Sequence, residues 1–245
     1  GHGPFSHALE NSIVNNISHE HLSNLFMNKL NEEFNGKLDL AIQIFNNKHP
    51  KKFLHQLVSS QIDMDRLDYL KRDSFYTGVT EGNIGTERII NMLNVVKDEL
   101  VIEEKGIYSI EKFLIARRLM YWQVYLHKTV LSAENTLIKI LKRAKDLIQK
   151  GEKLYSSKSL QLFLKKNYDI EDFNKNKELL KVFSNLDDHD IYSCMKDWQY
   201  HSDIILSYLC KTILNRKPLK IKIQNTGFSD KIIEKIKQDT QNKLN

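Results

Sequence analysis

The sequence has little cysteine and no long apolar run. Its two cysteines, Cys194 and Cys210, are too few for the disulfide framework of a small secreted domain and do not have the spacing of a metal site. We interpret both as buried free thiols. No run approaches the roughly 18 apolar residues of a membrane span, and no charged segment followed by an apolar one marks a secretory signal. These absences predict a cytoplasmic protein without a membrane partner.

What is present has the composition of a folded protein. Hydrophobic residues make up 41% of the 245 residues and charged residues 28%, and the length suits one large domain or two ordinary ones. The net charge is +6, but lysines alternate with acidic residues along the predicted helices, which is typical of a solvated surface. The excess of positive charge is nevertheless compatible with weak binding of nucleic acid or polyphosphate.

Apolar residues recur at helical spacing through most of the chain, so we predict a mainly α-helical fold. One hairpin is predicted in DELVIEEKGIYSI, around Gly106, and a short strand in LKIKIQ before a last amphipathic helix. A soft boundary near Gly151 separates residues 1–150 from a helical C-terminal region, 151–245. The other predicted helices begin near residue 18 and cover 38–47, 53–60, 64–76, 87–96, 111–150, 158–166, 176–184 and 188–214.

Three segments could carry chemistry, and the first is GHGPFSHALE at residues 1–10. Its glycines and Pro4 force a turn, which His2, His7 and Glu10 flank. His19 follows at a predicted helix start. Taken alone, a histidine in a turn is more often a surface or capping residue than a catalytic one.

The second segment is QIDMDRLDYLKRDSFYTGV, residues 61–79. On a helix of about 100° per residue, Asp65, Tyr69 and Asp73 share one stripe, while an apolar face of Met64, Leu67 and Leu70 lies opposite. The apolar face is predicted to be core. The acidic stripe is either a solvated surface or a place for a cation and a sugar hydroxyl.

The third segment is ARRLMYWQVYLHKTV, residues 116–130. Arg117, Tyr121, Tyr125 and Lys128 share one face of the predicted helix. Two cations with phenols between them suit recognition of phosphate and of a sugar or base, unless the stripe is merely exposed. The opposite face is apolar and consists of Ile115, Leu119, Trp122, Leu126 and Val130.

Together these segments resemble the HD-domain deoxynucleoside triphosphate triphosphohydrolases. GHGPFSH matches the second half of that family's H-D-x-G-H-G-P-F-S-H signature, and the later HE, the IDMDRLDYLKRD block and YLHK follow in the family's order. The resemblance covers residues 1–130 and implies an HD-domain helical fold. It also implies that Gly1 is not the natural start, since the family's His-Asp pair and a further metal-binding His would lie upstream.

The resemblance implies a role for each residue that matches a family motif. Asp65 would be a metal ligand, His2 the catalytic histidine, and Glu10 and His19 its relay. The family often has Asp where this chain has Glu10, and some members have His where it has Tyr121. The implied substrate-binding residues are His7, Arg66, Tyr69, Asp73, Arg117, Tyr121, Tyr125 and Lys128, of which the cations would hold phosphate and Tyr69, Asp73 and Tyr125 the deoxyribose.

The implied reaction is metal-dependent hydrolysis of a deoxynucleoside triphosphate to deoxynucleoside and inorganic triphosphate. His and Asp ligation admits Mn, Fe, Zn, Ni or Mg. The expected partners are the nucleotide substrates and further copies of the same chain. Because HD domains also cleave other phosphate esters, another nucleotide substrate or a non-catalytic nucleotide or nucleic-acid sensor are the alternatives.

Overall fold

The computed structural model of the protein describes Phe5, Ser12 and residues 17–244. The described residues divide into two compact units, one of residues 20–130 and one of residues 131–244 together with the residues before Glu20. We call them unit 1 and unit 2.

Unit 1 is helical apart from one β-hairpin. Single 3₁₀ turns lie at Thr80–Gly82 and Glu104–Gly106, and a π-helical turn lies at Tyr121–Tyr125. Its regular elements are α1 (His19–Glu33, whose first residue belongs to unit 2), α2 (Asp39–Phe45), α3 (Lys52–Val58), α4 (Met64–Thr77), α5 (Thr86–Asn91), β1 (Leu93–Val96), β2 (Glu99–Ile102) and α6 (Ile107–Met120).

The regular elements in the described part of unit 2 are helices. Its first helix, α7 (Lys128–Gln149), begins in the last residues of unit 1. The others are α8 (Lys158–Lys165), α9 (Ile170–Lys175), α10 (Lys177–Ser184), α11 (Asp188–Trp198), α12 (Ile204–Leu214) and α13 (Asp230–Leu244). The mainly α-helical fold with one small hairpin is therefore confirmed. The boundary near Gly151 stays a prediction; that glycine follows the end of α7 with a φ of 93°.

The hairpin was predicted in the wrong place. Its strands pair Leu93 with Ile102 and Val96 with Glu99, so the two-residue loop is Lys97 and Asp98 rather than a turn at Gly106. Both loop residues have positive φ, 51° and 66°, as the tight hairpin turn of type I′ requires. Neither is glycine, so the usual sequence signal was missing. The Asp98 carboxylate instead accepts from the backbone N–H of Lys52, which ties the turn to α3.

The core of unit 1 lies where α4 and α6 pack together. Buried apolar residues of this core are Leu67, Leu70, Ile84, Ile89, Phe113, Ala116 and Met120. The predicted core face of α4 is thus confirmed at Leu67 and Leu70. Burial of such side chains contributes about 1.5–3 kcal/mol each, and it holds the polar face of α4 in a fixed orientation.

Two glycines permit this packing. Gly78 ends α4 in the left-handed region with a φ of 72°, where a side chain is strained. At Gly82 a Cβ would lie 2.8 Å from both the Met120 sulfur and the Ser74 Cβ. Because Gly82 has no side chain, the segment that follows α4 can pack closely against Met120 of α6.

Unit 2 has a larger buried interior. Phe163, Phe173 and Phe183 form a ring cluster with centroids 5.8–6.2 Å apart. Trp198 is fully buried and donates its indole N–H to the Tyr155 carbonyl at 2.8 Å. Both free cysteines are buried here, as predicted, and burial raises the pKa of each thiol to about 12.

Two predictions for this unit need correction. The helix predicted over 188–214 is two helices, because Asp203 caps α12 by accepting from the Leu206 N–H at 2.8 Å. LKIKIQ, residues 219–224, has no regular structure among the described residues. A strand needs a hydrogen-bonding neighbour, and the described strands pair only with each other.

The described helices include none that combines the length and the apolar character needed to cross a membrane.

Candidate functional site

The start of α4 is fixed by a buried aspartate. Asp63 is 3% exposed, caps the helix by accepting from the Arg66 N–H at 2.8 Å, and accepts from the Ser60 N–H at 3.1 Å. Its carboxylate also pairs with the Arg66 guanidinium at 3.0 Å. The next acidic residue, Asp65, lies exposed in the first turn. Of these two aspartates, the first is structural and the second is available to a ligand.

The polar face of α4 contacts the π-helical turn. The Tyr125 hydroxyl donates to the Asp73 carboxylate at 2.7 Å, and its ring meets the Tyr69 ring edge-on with centroids 5.9 Å apart. Burial, then the hydrogen bond to Asp73, raises the pKa of the Tyr125 phenol far above its ordinary value. Tyr125 is therefore a neutral hydrogen-bonding group held next to a carboxylate.

Arg117, near the end of α6, extends this face. It donates to the Gln61 side-chain oxygen at 3.1 Å, and its guanidinium carbon lies 5.8 Å from the centre of the Tyr121 ring. The Tyr121 and Tyr125 rings are 5.3 Å apart. A cation, three phenols and a carboxylate therefore adjoin one another on α4, α6 and the π-helical turn that follows α6.

The pKa of the Tyr69 phenol responds to the charged and polar groups around it. Burial, followed by the neighbouring Tyr121, raises the pKa of the Tyr69 phenol, while Arg117 and Arg66 act to lower it. Tyr69 is thus within electrostatic range of both arginines. The cluster combines positive charge with neutral hydroxyl groups, which suits an anionic ligand that also carries hydroxyls.

The π-helical turn sets the positions of these phenols. The Leu126 N–H donates to the Tyr121 carbonyl at 2.7 Å, a spacing of five residues instead of four. Such turns occur frequently at functional sites. The sequence pattern had predicted one continuous helix over 111–150, which the π turn and the break before α7 correct.

Arg66 has an unused donor. Its Nη1 is engaged by Asp63, but its Nε is buried and has no hydrogen-bond partner in the described part of the chain. An unsatisfied buried donor costs about 1–3 kcal/mol, so an oxygen atom of a ligand at this position would be stabilised.

Some predicted residues are not part of this cluster. Lys128 is exposed at the first residue of α7, and His19 is the first residue of α1 and belongs to unit 2. His2, His7 and Glu10 lie outside the described residues. The roles of all five remain predictions.

Asp65 is the described residue that the resemblance assigns to a metal. Among residues 17–242, no three His, Cys, Asp or Glu side chains lie together as a metal-binding group. The exposed carboxylate of Asp65 fits one ligand position for a divalent cation. One carboxylate does not define a site, so Asp65 remains a predicted ligand.

Sequence reasoning missed two contributors. Asp63 could have been identified by its position directly before an apolar helical pattern, where aspartate is a preferred cap. Gln61 gave no signal, because its contact with Arg117 joins residues 56 positions apart in the chain.

The protein is similar to several known proteins. The family model described as "HD associated region" matches residues 84–245. In the crystal structure of the phosphohydrolase BT4208 from Bacteroides thetaiotaomicron, the matching chain is 52% identical, with a TM-score of 0.96 over 99% of this chain and 60% of that one.

Two curated relatives are more distant. The uncharacterized protein YwfO of Bacillus subtilis is 35% identical over 89% of this chain and 49% of its own. A Dictyostelium discoideum protein named deoxynucleoside triphosphate triphosphohydrolase SAMHD1 homolog is 27% identical over 64% of this chain and 34% of its own. The chain spans about half the length of YwfO and a third of the Dictyostelium protein.

Proposed function

Since the chain belongs to the HD-associated region family, we propose that the protein is an HD-type, metal-dependent phosphohydrolase of deoxynucleoside triphosphates. The products are the deoxynucleoside and inorganic triphosphate. The observation that carries the proposal is the cluster of Arg66, Tyr69, Asp73, Arg117 and Tyr125, in which cations lie beside a hydroxyl–carboxylate pair.

The two arginines support the phosphate part of the proposal. Arg117 reaches the cluster from α6, and Arg66 offers a buried Nε without a partner in the described chain. Guanidinium groups bind phosphate oxygens through charge-assisted hydrogen bonds, roughly twice as strong as neutral ones. In the transition state they would neutralise charge that develops on the triphosphate.

The Tyr125–Asp73 pair supports the sugar part. A neutral phenol that donates to a carboxylate presents one hydroxyl oxygen and one free carboxylate oxygen, both able to accept from a sugar hydroxyl. The neighbouring Tyr69 ring narrows the space beside them. We propose that this space admits deoxyribose better than ribose, because the extra hydroxyl of ribose needs room and a hydrogen-bond partner.

A bound divalent metal would polarise a phosphoryl oxygen and lower the pKa of an attacking water. In the described chain Asp65 is the residue proposed to bind it. His2 is proposed, by resemblance, to donate a proton to the leaving oxygen, an effect typically worth about 10² to 10⁴ in rate.

The first test identifies the products. A form of the protein extended upstream of Gly1 is incubated with each deoxynucleoside triphosphate and a panel of divalent metals, and the products are separated by ion-exchange chromatography. Intact inorganic triphosphate and free deoxynucleoside support the proposal. Orthophosphate or pyrophosphate as the first product contradicts it, and nucleotide binding without turnover identifies a sensor.

The second test measures the contribution of Arg117. Arg117→Ala is expected to lower kcat/KM by about 10- to 150-fold, since a lost charged hydrogen bond costs about 1.5–3 kcal/mol of transition-state stabilisation. Arg72→Ala is the matched control, because Arg72 is exposed and pairs only with Asp68 in the described chain. If both variants lower kcat/KM by the same factor, Arg117 does not bind the substrate.

A further inference from the structure

One short segment contacts both arginines of the candidate site. Residues 60–63 lie directly before α4. Gln61 of this segment accepts a hydrogen bond from the Arg117 guanidinium at 3.1 Å, and Asp63 accepts one from the Arg66 guanidinium at 3.0 Å. The two arginines belong to different helices, and an arginine side chain has many rotamers. Packing of α4 against α6 therefore does not by itself fix where the guanidinium groups lie.

The segment is itself held in place. The Asp63 carboxylate accepts from the Ser60 N–H at 3.1 Å, and the Ser60 hydroxyl accepts from the Ile62 N–H at 3.2 Å. Ile62 packs against the buried core of unit 1. Because the segment is tied both to itself and to the core, a guanidinium that donates to one of its oxygens is held in a defined position.

Asp63 is too deeply buried to contact a ligand. Its side chain is 4% exposed, whereas that of Arg66 is 28% exposed. The carboxylate engages Nη1 of Arg66, which leaves the buried Nε, without a partner in the described chain, to donate to a ligand oxygen. A guanidinium that is already fixed loses less rotamer freedom when it binds. Asp63 can therefore promote binding only through Arg66.

We propose that Asp63 and Gln61 are positioning residues, which hold Arg66 and Arg117 in the orientation that binds phosphate oxygens. The inference rests on the proposed function, in which both arginines bind the triphosphate. Asp63 is buried and charged, whereas Gln61 is exposed and neutral. The loss of Asp63 should therefore have the larger effect.

The test measures binding of inorganic triphosphate, which requires no turnover. The protein extended upstream of Gly1 is titrated calorimetrically, unchanged and as the variants Asp63→Asn and Gln61→Met. Asparagine can still cap α4 through its oxygen, but its amide nitrogen cannot accept from Arg66. Methionine keeps the length of glutamine without its amide. We expect binding to weaken about 3- to 30-fold for Asp63→Asn and about 2- to 10-fold for Gln61→Met.

Double variants separate positioning from a general effect on the fold. If Asp63 acts through Arg66, adding Asp63→Asn to Arg66→Ala should weaken binding by less than about a further twofold. The same limit applies when Gln61→Met is added to Arg117→Ala. If either double variant shows the full product of its two single effects, the segment acts on the fold and the inference is overturned.

The matched control is Asp68→Asn. Asp68 pairs with Arg72 on the same helix, but both side chains are more than half exposed, so triphosphate binding should not change. Circular dichroism checks that every variant keeps its helix content. Asp63→Ser, which also retains a capping oxygen, replaces Asp63→Asn if that variant does not fold.

The contrary results distinguish this inference from the proposed function. If the two arginine variants weaken triphosphate binding while Asp63→Asn and Gln61→Met leave it unchanged or tighter, only the positioning role is overturned. If neither arginine variant weakens binding, the phosphate part of the proposed function fails and the positioning role with it. If binding follows the expected pattern but the first product is not triphosphate, the positioning role stands and the proposed reaction fails.

Discussion

The helices of unit 2 are stabilised where they begin, whereas those of unit 1 depend on what they pack against. In unit 2, side chains of Ser157, Asp169, Asn176, Asp187 and Asp203 cap five helices, and two of these are full capping boxes. In unit 1, α2, α3, α5 and α6 have no side-chain cap, and α4 is capped by Asp63. A cap contributes about 1 kcal/mol.

The two units thus differ in kind: unit 2 has the larger buried interior, whereas unit 1 carries the candidate site. Most of the buried apolar side chains of the described chain belong to unit 2. Unit 1 places polar groups of α4 and α6 toward the candidate site, has a smaller buried core, and leaves several large apolar side chains of α6, such as Tyr108 and Ile115, exposed. The helix that Asp63 caps is the one that carries Asp65, Tyr69 and Asp73. The cap therefore stabilises the element that carries these three side chains.

The largest expected effect tests the interior of unit 2. Trp198→Ala removes a fully buried ring and leaves the Tyr155 carbonyl without its donor. We expect a loss of about 3–5 kcal/mol in the free energy of unfolding, measured by urea denaturation. Tyr200→Ala, at an exposed neighbouring position, is expected to change it by less than about 0.5 kcal/mol. If Trp198→Ala lowers the free energy of unfolding by less than about 2 kcal/mol, the interior of unit 2 is not the more strongly stabilised of the two.

An intermediate effect is expected at the ion pair of Arg143 with Asp203. The hydrogen bond from Arg143 lowers the pKa of the Asp203 carboxyl, so the pair contributes stability above the unfolded pKa of about 3.9 and loses it as the pH falls through the lower folded value.

Asp203→Asn isolates this contribution, because asparagine can still cap α12. The variant is expected to lose about 1–3 kcal/mol at pH 7. The difference from the unchanged protein should shrink toward pH 2, as measured by denaturation across that range. A constant difference at all pH values would assign the effect to packing.

The smallest expected effect is at the site itself. Tyr125→Phe removes the hydrogen bond to a half-buried Asp73 and is expected to cost about 0.5–1.5 kcal/mol. In a spectrophotometric titration, the variant should lose one phenol that stays protonated above the ordinary tyrosine pKa of about 10. A loss as large as that of Trp198→Ala would mean that Tyr125 is a structural residue of unit 1.

The sequence predicted those features that depend on local pattern. The core face of α4 at Leu67 and Leu70, the buried thiols and most helices follow from apolar periodicity, which burial enforces. The shared face of Asp65, Tyr69 and Asp73 follows from the same periodicity. Their proximity to Arg117, Tyr121 and Tyr125 could be expected only through the family resemblance.

Tertiary contacts determined the features that the sequence did not predict. The hairpin turn uses Lys97 and Asp98 in left-handed conformations because α3 binds Asp98. The apolar side chains of Ile115 and Trp122 suggested an ordinary amphipathic helix, and nothing local indicated that they would be exposed. No periodicity distinguishes an apolar face that enters a core from one that remains uncovered.

The π turn at Tyr121–Tyr125 makes the length of this segment as important as its chemistry. A π turn holds one residue more than the corresponding stretch of α-helix, so deleting any one residue there would let the helix continue with ordinary spacing. The wider turn accommodates the extra residue, so a deletion of Trp122, Gln123 or Val124 would change the spacing between Tyr121 and Tyr125 without replacing any side chain of the cluster. The hydrogen bond from Tyr125 to Asp73 depends on that spacing. The number of residues in this segment is therefore as much a requirement of the cluster as their identity.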